Sequence, residues 1–373
     1  FIIRFSTHHM IIILIILIIA LGVFLFMQQP TFGKQPSGER LTAIQHSKNY
    51  RDNAFQNIHE TPSLTEGVSY YSVIKEFFFT KRERLQPADQ IPSQKTDLVN
   101  VSSDHNFLVW FGHSSYYIQV DGKKIIVDPV FSGSASPLSF TTKAFKGADV
   151  YTTDDIPEID YLFISHDHWD HLDYKTIKKL QPKIKKIICA LGVGAHFEYW
   201  GFDKNTINEK DWNEETVLDT GFTVYSVPAR HFSGRTFKRN TSLWVSFVLI
   251  TPTKKMYLGG DSGYDTHFAE IGKKFGPFDI AILENGQYDS KWKYIHLMPY
   301  EILQVAKQLK AKQILPVHSA KFVLGNHPWD EPLELIIQNN EKEKLNIITP
   351  RIGEKIQMKD TQQKFSNWWQ AVK

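Results

Sequence analysis

Three things are scarce in this sequence, and each scarcity removes a class of function. There is a single cysteine, Cys189, among 373 residues. No internal disulfide can therefore form, and a cysteine-based zinc site is excluded. Its setting in the apolar run IICALG marks it as a buried core residue. Basic runs are missing too: no five or six Lys/Arg stand together, and the formal charge is only +3. A nucleic-acid groove is thus unsupported, and no nucleic-acid partner is expected. Repeats, low-complexity tracts and a flavin-type partner domain are likewise not visible, which argues against a solenoid and against electron-transfer or oxygen chemistry. Apolar material is plentiful, at 42% hydrophobic and 13% aromatic. That is enough for a substantial core in one large domain or two small ones.

Residues 10–27, MIIILIILIIALGVFLFM, form an uninterrupted apolar run. At about 1.5 Å per residue such a helix nearly spans a hydrocarbon core of about 30 Å. The following FLFMQQPTFGK offers no small-x-small cleavage motif, so an uncleaved N-terminal transmembrane helix is expected rather than a signal peptide. Arg4 precedes the run and Lys34, Arg40, Lys48 and Arg51 follow it. That balance favours a cytoplasmic C-terminal part, but large domains translocate regardless of nearby charge, so the side of the membrane stays open. The chain opens on Phe1 rather than Met, which leaves two expectations open, a start at Met10 or further residues upstream.

Three segments are expected: an anchor over residues 1–28, an extended arm over 29–104, and a catalytic domain over 105–373. The arm is rich in Pro, Gln, Ser and Asn, and its short apolar pieces, such as residues 73–79, are expected to pack on the catalytic body. From about residue 105, short β-rich runs separated by turns begin. FLVWF (107–111), SYYIQV (115–120) and KKIIVD (123–128) predict a meander with Asp121-Gly122 as its hairpin turn. YLFIS, KIICA, FTVYSV, SLWVSFVLI, KMYLGG, DIAIL and KQILPV predict further strands. Residues 174–180 and 299–309 predict helices, the second with a proline in its first turn. Strands in two groups, each followed by helices, imply an α/β fold with sheets covered on their outer faces.

The chemistry concentrates in FISHDHWDHLD, residues 163–173. An apolar strand ends at Ser165 and a tight turn presents His166, His168, Asp170 and His171. Imidazole nitrogens and carboxylate oxygens suit zinc and related borderline ions. These side chains cannot all face one metal, but they can serve two a few ångströms apart, His166 and His168 on one and Asp170 and His171 on the other. More ligands are needed, and three polar residues stand directly after apolar strands: His231, Asp261 and His318. Strand ends are where a rigid sheet holds a site at its edge.

This order of residues, H-x-H-x-D-H, then a His, an Asp in a Gly-Asp context, and a His, resembles the metallo-β-lactamase superfamily. The resemblance implies a four-layer αββα sandwich with metals at one edge of the sheets. It implies His166, His168 and His231 on one metal, Asp170, His171 and His318 on the other, and Asp261 bridging them. A narrower match, carried by LVWFGHSSYYIQVDGKKIIVDPVFSGSASP, PARHFSGRT, GGDSGY, IHLMPYE and PVHSAKFVLGNHPWDEP, is similar to the branch containing N-acyl-phosphatidylethanolamine-hydrolysing phospholipase D and its bacterial relatives. It implies a phospholipase D-like phosphodiesterase acting on a lipid or lipid-like substrate. Two divalent metal ions, zinc first with iron or manganese as alternatives, would supply a bridging hydroxide. Asp170 or Asp261 would accept the proton, and His296 would stand near the substrate. His113, Arg235, Tyr264 and Gln287 are the substrate-side candidates, with Arg235 gripping a phosphate, Tyr264 shaping the entrance and Glu284 lying near the metals. The histidines at 46, 59, 105, 196, 267 and 327 read as ordinary. A metal-dependent lactonase or carboxylic ester or amide hydrolase is the alternative, and a non-catalytic membrane-tethered binding protein comes third.

Overall fold

The computed structural model describes residues 7–373; Arg4 lies outside the described residues. The apolar run forms α1 (Thr7–Met27), a helix long and apolar enough to cross a membrane and with none of its side chains buried. A single 3-10 turn, Pro30–Phe32, follows at once. The arm then forms α2 (Gly38–His46), the two-stranded hairpin β1 (Tyr50–Arg51) and β2 (Ala54–Phe55), and α3 (Tyr70–Phe79).

The body begins with β3 (Phe107–Trp110), β4 (Tyr116–Val120) and β5 (Lys123–Val127), an antiparallel meander. Asp121 and Gly122 both hold positive φ, 48° and 78°, the left-handed pair that a two-residue hairpin turn requires. The chain continues through β6 (Ile159–Ile164), α4 (Tyr174–Leu180), β7 (Ile184–Ala190), α5 (Gly194–Tyr199) and β8 (Ile207–Lys210). The pairings of β5 with β6, β6 with β7 and β7 with β8 are parallel. A second sheet takes β9 (Glu215–Asp219), β10 (Phe222–Val227), β11 (Ser246–Ile250) and β12 (Lys255–Leu258). Beyond them come α6 (His267–Lys274), β13 (Ile280–Glu284), α7 (Ile302–Leu309), β14 (Ile314–Val317) and α8 (Glu331–Glu343). Finally β15 (Lys355–Gln357) returns to pair with β3. The sheets run β15-β3-β4-β5-β6-β7-β8 and β14-β13-β12-β11-β10-β9.

Two cores separate four layers. One fills the space between the sheets, where Phe163 and Phe247 meet edge to face at 5.0 Å, and extends to Ile177 and Leu180 of α4 and Phe197 of α5. The other lies between the second sheet and α6 and α7, joining Tyr257 to Phe268, Ile302 and Leu309. Buried Ile302, Leu303, Val305, Ala306 and Leu309 give α7 one apolar stripe. The order is therefore helices, sheet, sheet, helices, the αββα sandwich implied by the resemblance.

Three local expectations fail. The strand expected over 242–250 is confined to Ser246–Ile250, because Leu243 and Val245 donate their amides to Leu191 and Ser165 of the other sheet's loops. The helix expected from Pro299 starts at Ile302, after a turn in which Glu301 accepts from the Met298 amide. Within residues 73–79, expected to pack on the body, Val73 is half-buried but Ile74 and Phe79 are exposed.

Candidate metal centre

The strands β6, β10, β12, β13 and β14 all end at one edge of the sandwich, and the residues that follow each of them meet there. From the loop after β6, His166 and His168 are joined by His231, which follows β10. His166 Nε2 and His231 Nε2 lie 2.9 and 3.2 Å from His168 Nδ1. Three imidazole nitrogens on a tetrahedral zinc at about 2.0–2.1 Å would stand about 3.3 Å apart, so the spacing fits a shared cation. Burial, reinforced by the neighbouring imidazoles, pushes His166 well below the ordinary histidine range. Burial likewise depresses His231 and takes His168 down to about 4. Neutral rings with converging lone pairs repel one another unless a cation sits between them.

The second donor set adds carboxylates. Asp170 Oδ2 lies 3.5 Å from His171 Nε2 and 3.4 Å from His318 Nε2. Between the two sets sits Asp261: its Oδ1 is 3.2 Å from His171 Nε2, and its Oδ2 is 3.1 Å from His318 Nε2 and 3.7 Å from His231 Nε2. Burial would lower His318, but Asp261, Asp170 and Glu284 outweigh it and push the imidazole up to about 10. His171 Nε2 and Asp261 Oδ1 are buried with no partner of hydrogen-bonding geometry. Such orphaned buried atoms are costly. Their convergence, and the nitrogen-plus-carboxylate donor set, fit divalent metal ions. All seven residues singled out as ligands thus come together.

The far sides of the rings are held firmly, which fixes the tautomers and aims the free nitrogens. His171 Nδ1 donates to Asp128 Oδ2 at 2.8 Å, and Ser165 donates both its amide and its hydroxyl to the same carboxylate. His231 Nδ1 donates to the Ile295 carbonyl at 2.8 Å. Asn57 of the arm pairs with both backbone groups of His231. Asp167, buried in the same loop, accepts from the Gly234 amide and the Ser242 hydroxyl. Gly260 brings β12 against β6 so closely that a Cβ there would lie 2.6 Å from the Val245 carbonyl oxygen and 2.8 Å from Ser165 Cβ. That approach seats Asp261 beside the histidine loop. Asp128 and Asp167 were not singled out from the sequence. The first carried the same signal as His231, a polar residue closing an apolar strand; Asn57 carried none.

A cleft of about 670 Å³ opens onto the centre. His168, Asp170, His231, Asp261, His296 and His318 line its floor, and residues 55–64 of the arm with Tyr70 form the facing wall. His296 donates from Nδ1 to Glu284 at 2.7 Å, and its ring stacks on His318 with centroids 5.1 Å apart. Gln287 reaches the cleft. Its amide is consumed by the protein, donating to the His318 and Phe322 carbonyls and accepting from the Leu324 and Gly325 amides.

Three of the substrate-side candidates do not touch the cleft. Arg235 is buried away from it. Its guanidinium donates to the carbonyls of Thr31, Asp167 and Leu172 and stacks on Trp169 at 3.9 Å. It ties the foot of α1 to the histidine loop and has no free donor face for a phosphate. His113 is fully buried and donates from Nε2 to Asp170 Oδ2 at 2.7 Å, so it aims a ligand. Tyr264 faces α7, its hydroxyl accepting from Gln304 and Gln308. His59, read as ordinary, lines the cleft wall and pairs with Asp265 at 2.7 Å.

Comparison with known proteins agrees with this fold. The family described as "Beta-lactamase superfamily domain" matches residues 123–319. An uncharacterized protein of Mycobacterium tuberculosis is 33% identical over 329 residues, 87% of this chain and 88% of its own length. "N-acyl-phosphatidylethanolamine-hydrolyzing phospholipase D 1" of Caenorhabditis elegans is 29% identical over 325 residues, 81% of this chain and 90% of its own. Among solved structures, Igni18, a metallo hydrolase from Ignicoccus hospitalis, superposes with a TM-score of 0.52 at 19% identity, over 67% of this chain and 97% of that one; this is a likeness of fold alone.

Proposed function

The chain belongs to the metallo-β-lactamase superfamily and is a metal-dependent hydrolase, and on that premise we propose that it cleaves a phosphodiester of a membrane lipid at a two-metal centre, with α1 as its anchor. The observation that carries this reading is the position of Asp261, whose carboxylate stands between two complete donor sets at the floor of an open cleft. Divalent cations, zinc before iron or manganese, supply Lewis acidity and a water that ionises near neutral pH.

The chain's own groups do the rest. His166, His168 and His231 would hold one cation and Asp170, His171 and His318 the other, with Asp261 serving both. Asp261 or Asp170 would accept the attacking water's proton. His296, fixed by Glu284 at Nδ1, offers its other nitrogen to the leaving oxygen or a phosphate oxygen. Arg51 and Arg239 line the cleft and form no ion pair among the described residues; they take over the anion-binding part first given to Arg235. Phe55, Ile58, Leu64, Trp292 and Leu324 make the rest of the cleft apolar, which suits acyl chains beside a charged head group. Similarity to the nematode phospholipase D supports the same substrate class.

A second reading, a lactone or other carboxylic ester or amide, keeps the centre and changes the bond. It gains weight because Arg235, the residue that separated the two, is turned into the interior. The test is turnover of N-acyl phosphatidylethanolamine, bis-p-nitrophenyl phosphate and a simple lactone by the full chain in detergent. Phosphodiester turnover whose KM rises in Arg51→Gln and Arg239→Gln is expected. Lactone turnover alone, indifferent to both arginines, would replace the first reading by the second.

A further inference from the structure

The loop that carries four of the proposed ligands is gripped by the first residues after α1. Between His166, His168 and Asp170 stand Asp167 and Trp169, whose partners lie outside the centre. Trp169 meets Phe32 edge to face at 5.2 Å, and the Arg235 guanidinium stacks on it at 3.9 Å. Asp167 Oδ2 lies 3.3 Å from Nε2 of His196, a buried residue of α5, and His196 Nδ1 accepts from the Lys34 amide at 3.1 Å. A backbone amide can only donate. His196 therefore carries its proton on Nε2 and donates it to Asp167.

Residues 30–34 are held through their backbone. The Pro30 carbonyl accepts from Trp200 Nε1 at 2.8 Å and from the Gly33 amide at 2.9 Å. The Thr31 carbonyl accepts from Arg235 Nε and Nη2 at 3.2 and 2.8 Å. Nη1 of the same guanidinium donates to the Asp167 and Leu172 carbonyls at 2.8 and 2.7 Å. Gly33 holds a φ of 72°, and a Cβ there would lie 2.0 Å from His196 Nδ1. Glycine is what lets the backbone come close enough for the Lys34 amide to reach the ring. Only Gln28 and Gln29 separate this segment from α1. A buried charged donor left unpaired costs more than its hydrogen bond contributes. Detaching residues 30–34 would strip two donors of Arg235 and one ring nitrogen of His196, and both side chains bear on Asp167.

We infer that residues 30–34 form a strap that positions the metal-ligand loop, with His196 and Arg235 as the positioning residues that carry its hold to Asp167 and Leu172. This rests on the metal-centre reading. It makes the hold on metal depend on the chain that leaves α1, so a cleavage freeing the domain from that helix has to fall before Pro30 to leave the centre intact. His196, which reads as ordinary in the sequence, belongs to the support of the site.

The test uses the full chain in detergent. Zinc affinity is measured by competition with a chromophoric chelator, and hydrogen exchange over residues 163–173 is followed in the metal-free protein. Glutamine can accept from the Lys34 amide and donate to Asp167, whereas leucine can do neither. His196→Leu and Gly33→Ala should bind zinc about ten- to a hundredfold more weakly and exchange faster in the loop. His196→Gln should recover much of both. Leu309→Ala, in the core between the second sheet and α7, is the control: it should lower the melting temperature and leave zinc affinity and loop exchange unchanged. Wild-type affinity and exchange in His196→Leu and Gly33→Ala would overturn the inference. Equal losses in Leu309→Ala would overturn it too, since the effect would then be one of general stability. Should His196→Leu fail to fold, Trp200→Phe, which gives up only the bond to Pro30, decides on the same two readouts. Zinc absent from the wild type, with loop exchange still faster in the variants, would remove the metal reading and leave the strap standing.

Discussion

The half of the proposed metal centre made by His166, His168 and His231 contains imidazoles alone, whereas the half made by Asp170, His171 and His318 sets imidazoles among carboxylates. Both halves are buried on the same sheet edge, yet burial acts on them in opposite ways. In the first it wins, and the rings are neutral. In the second the charges of Asp170, Asp261 and Glu284 win, and His318 is driven up to about 10. The difference teaches that one half is ready for a cation, while in the metal-free protein the other half is filled by protons that a cation must displace.

Removing the group common to both halves should have the largest effect. Asp261→Ala should lower turnover at least about a hundredfold, since even residues supporting a ligand cost ten- to a hundredfold. It should also lower metal content in both halves, read by elemental analysis. Loss from one half alone would break the picture of Asp261 as their bridge.

The next effect sharpens the contrast in charge. A histidine whose folded pKa lies above its ordinary 6.5 contributes stability in full below pH 6.5 and loses it as pH rises through the folded value. The metal-free protein should therefore lose thermal stability between about pH 6.5 and 10 through His318. The same scan on His318→Gln should be flatter and on His231→Gln unchanged in slope. Equal slopes in all three proteins would contradict the assigned asymmetry.

Arg235 gives the smallest effect on catalysis. Arg235→Gln should leave KM within about twofold, yet lower the melting temperature by several degrees, because hydrogen bonds from a buried charged donor contribute about 1.5–3 kcal/mol each. A large KM increase with unchanged melting would return Arg235 to the substrate.

Much of the candidate centre was legible because the residues proposed as its ligands obey a local rule. Four are packed into one loop after an apolar strand, and His231, Asp261 and His318 each close a strand of their own. The apolar runs alone indicated sheets covered by helices on their outer faces, and the four-layer order followed from the resemblance. What stayed hidden depends on contacts distant in sequence. Arg235 looked like a phosphate anchor because nothing local shows that its loop turns toward Trp169 and the foot of α1. The wall of residues 55–64 has no periodicity to read; it is placed by Asn57 on His231 and by the Phe55 amide on the Asn240 carbonyl. Helix α3 misled for the opposite reason: an apolar segment is usually a buried one, and here Tyr71, Ile74 and Phe79 face outward.

The central claim is that two divalent metal ions, bridged by Asp261, make the protein a hydrolase. The most direct measurement strips the full-length protein with chelator and restores zinc stepwise while following both bound metal and phosphodiester turnover. The account predicts that turnover disappears on stripping and returns in full only as two metals per chain are restored. Turnover that survives complete stripping, or that is complete at one metal per chain, would contradict it.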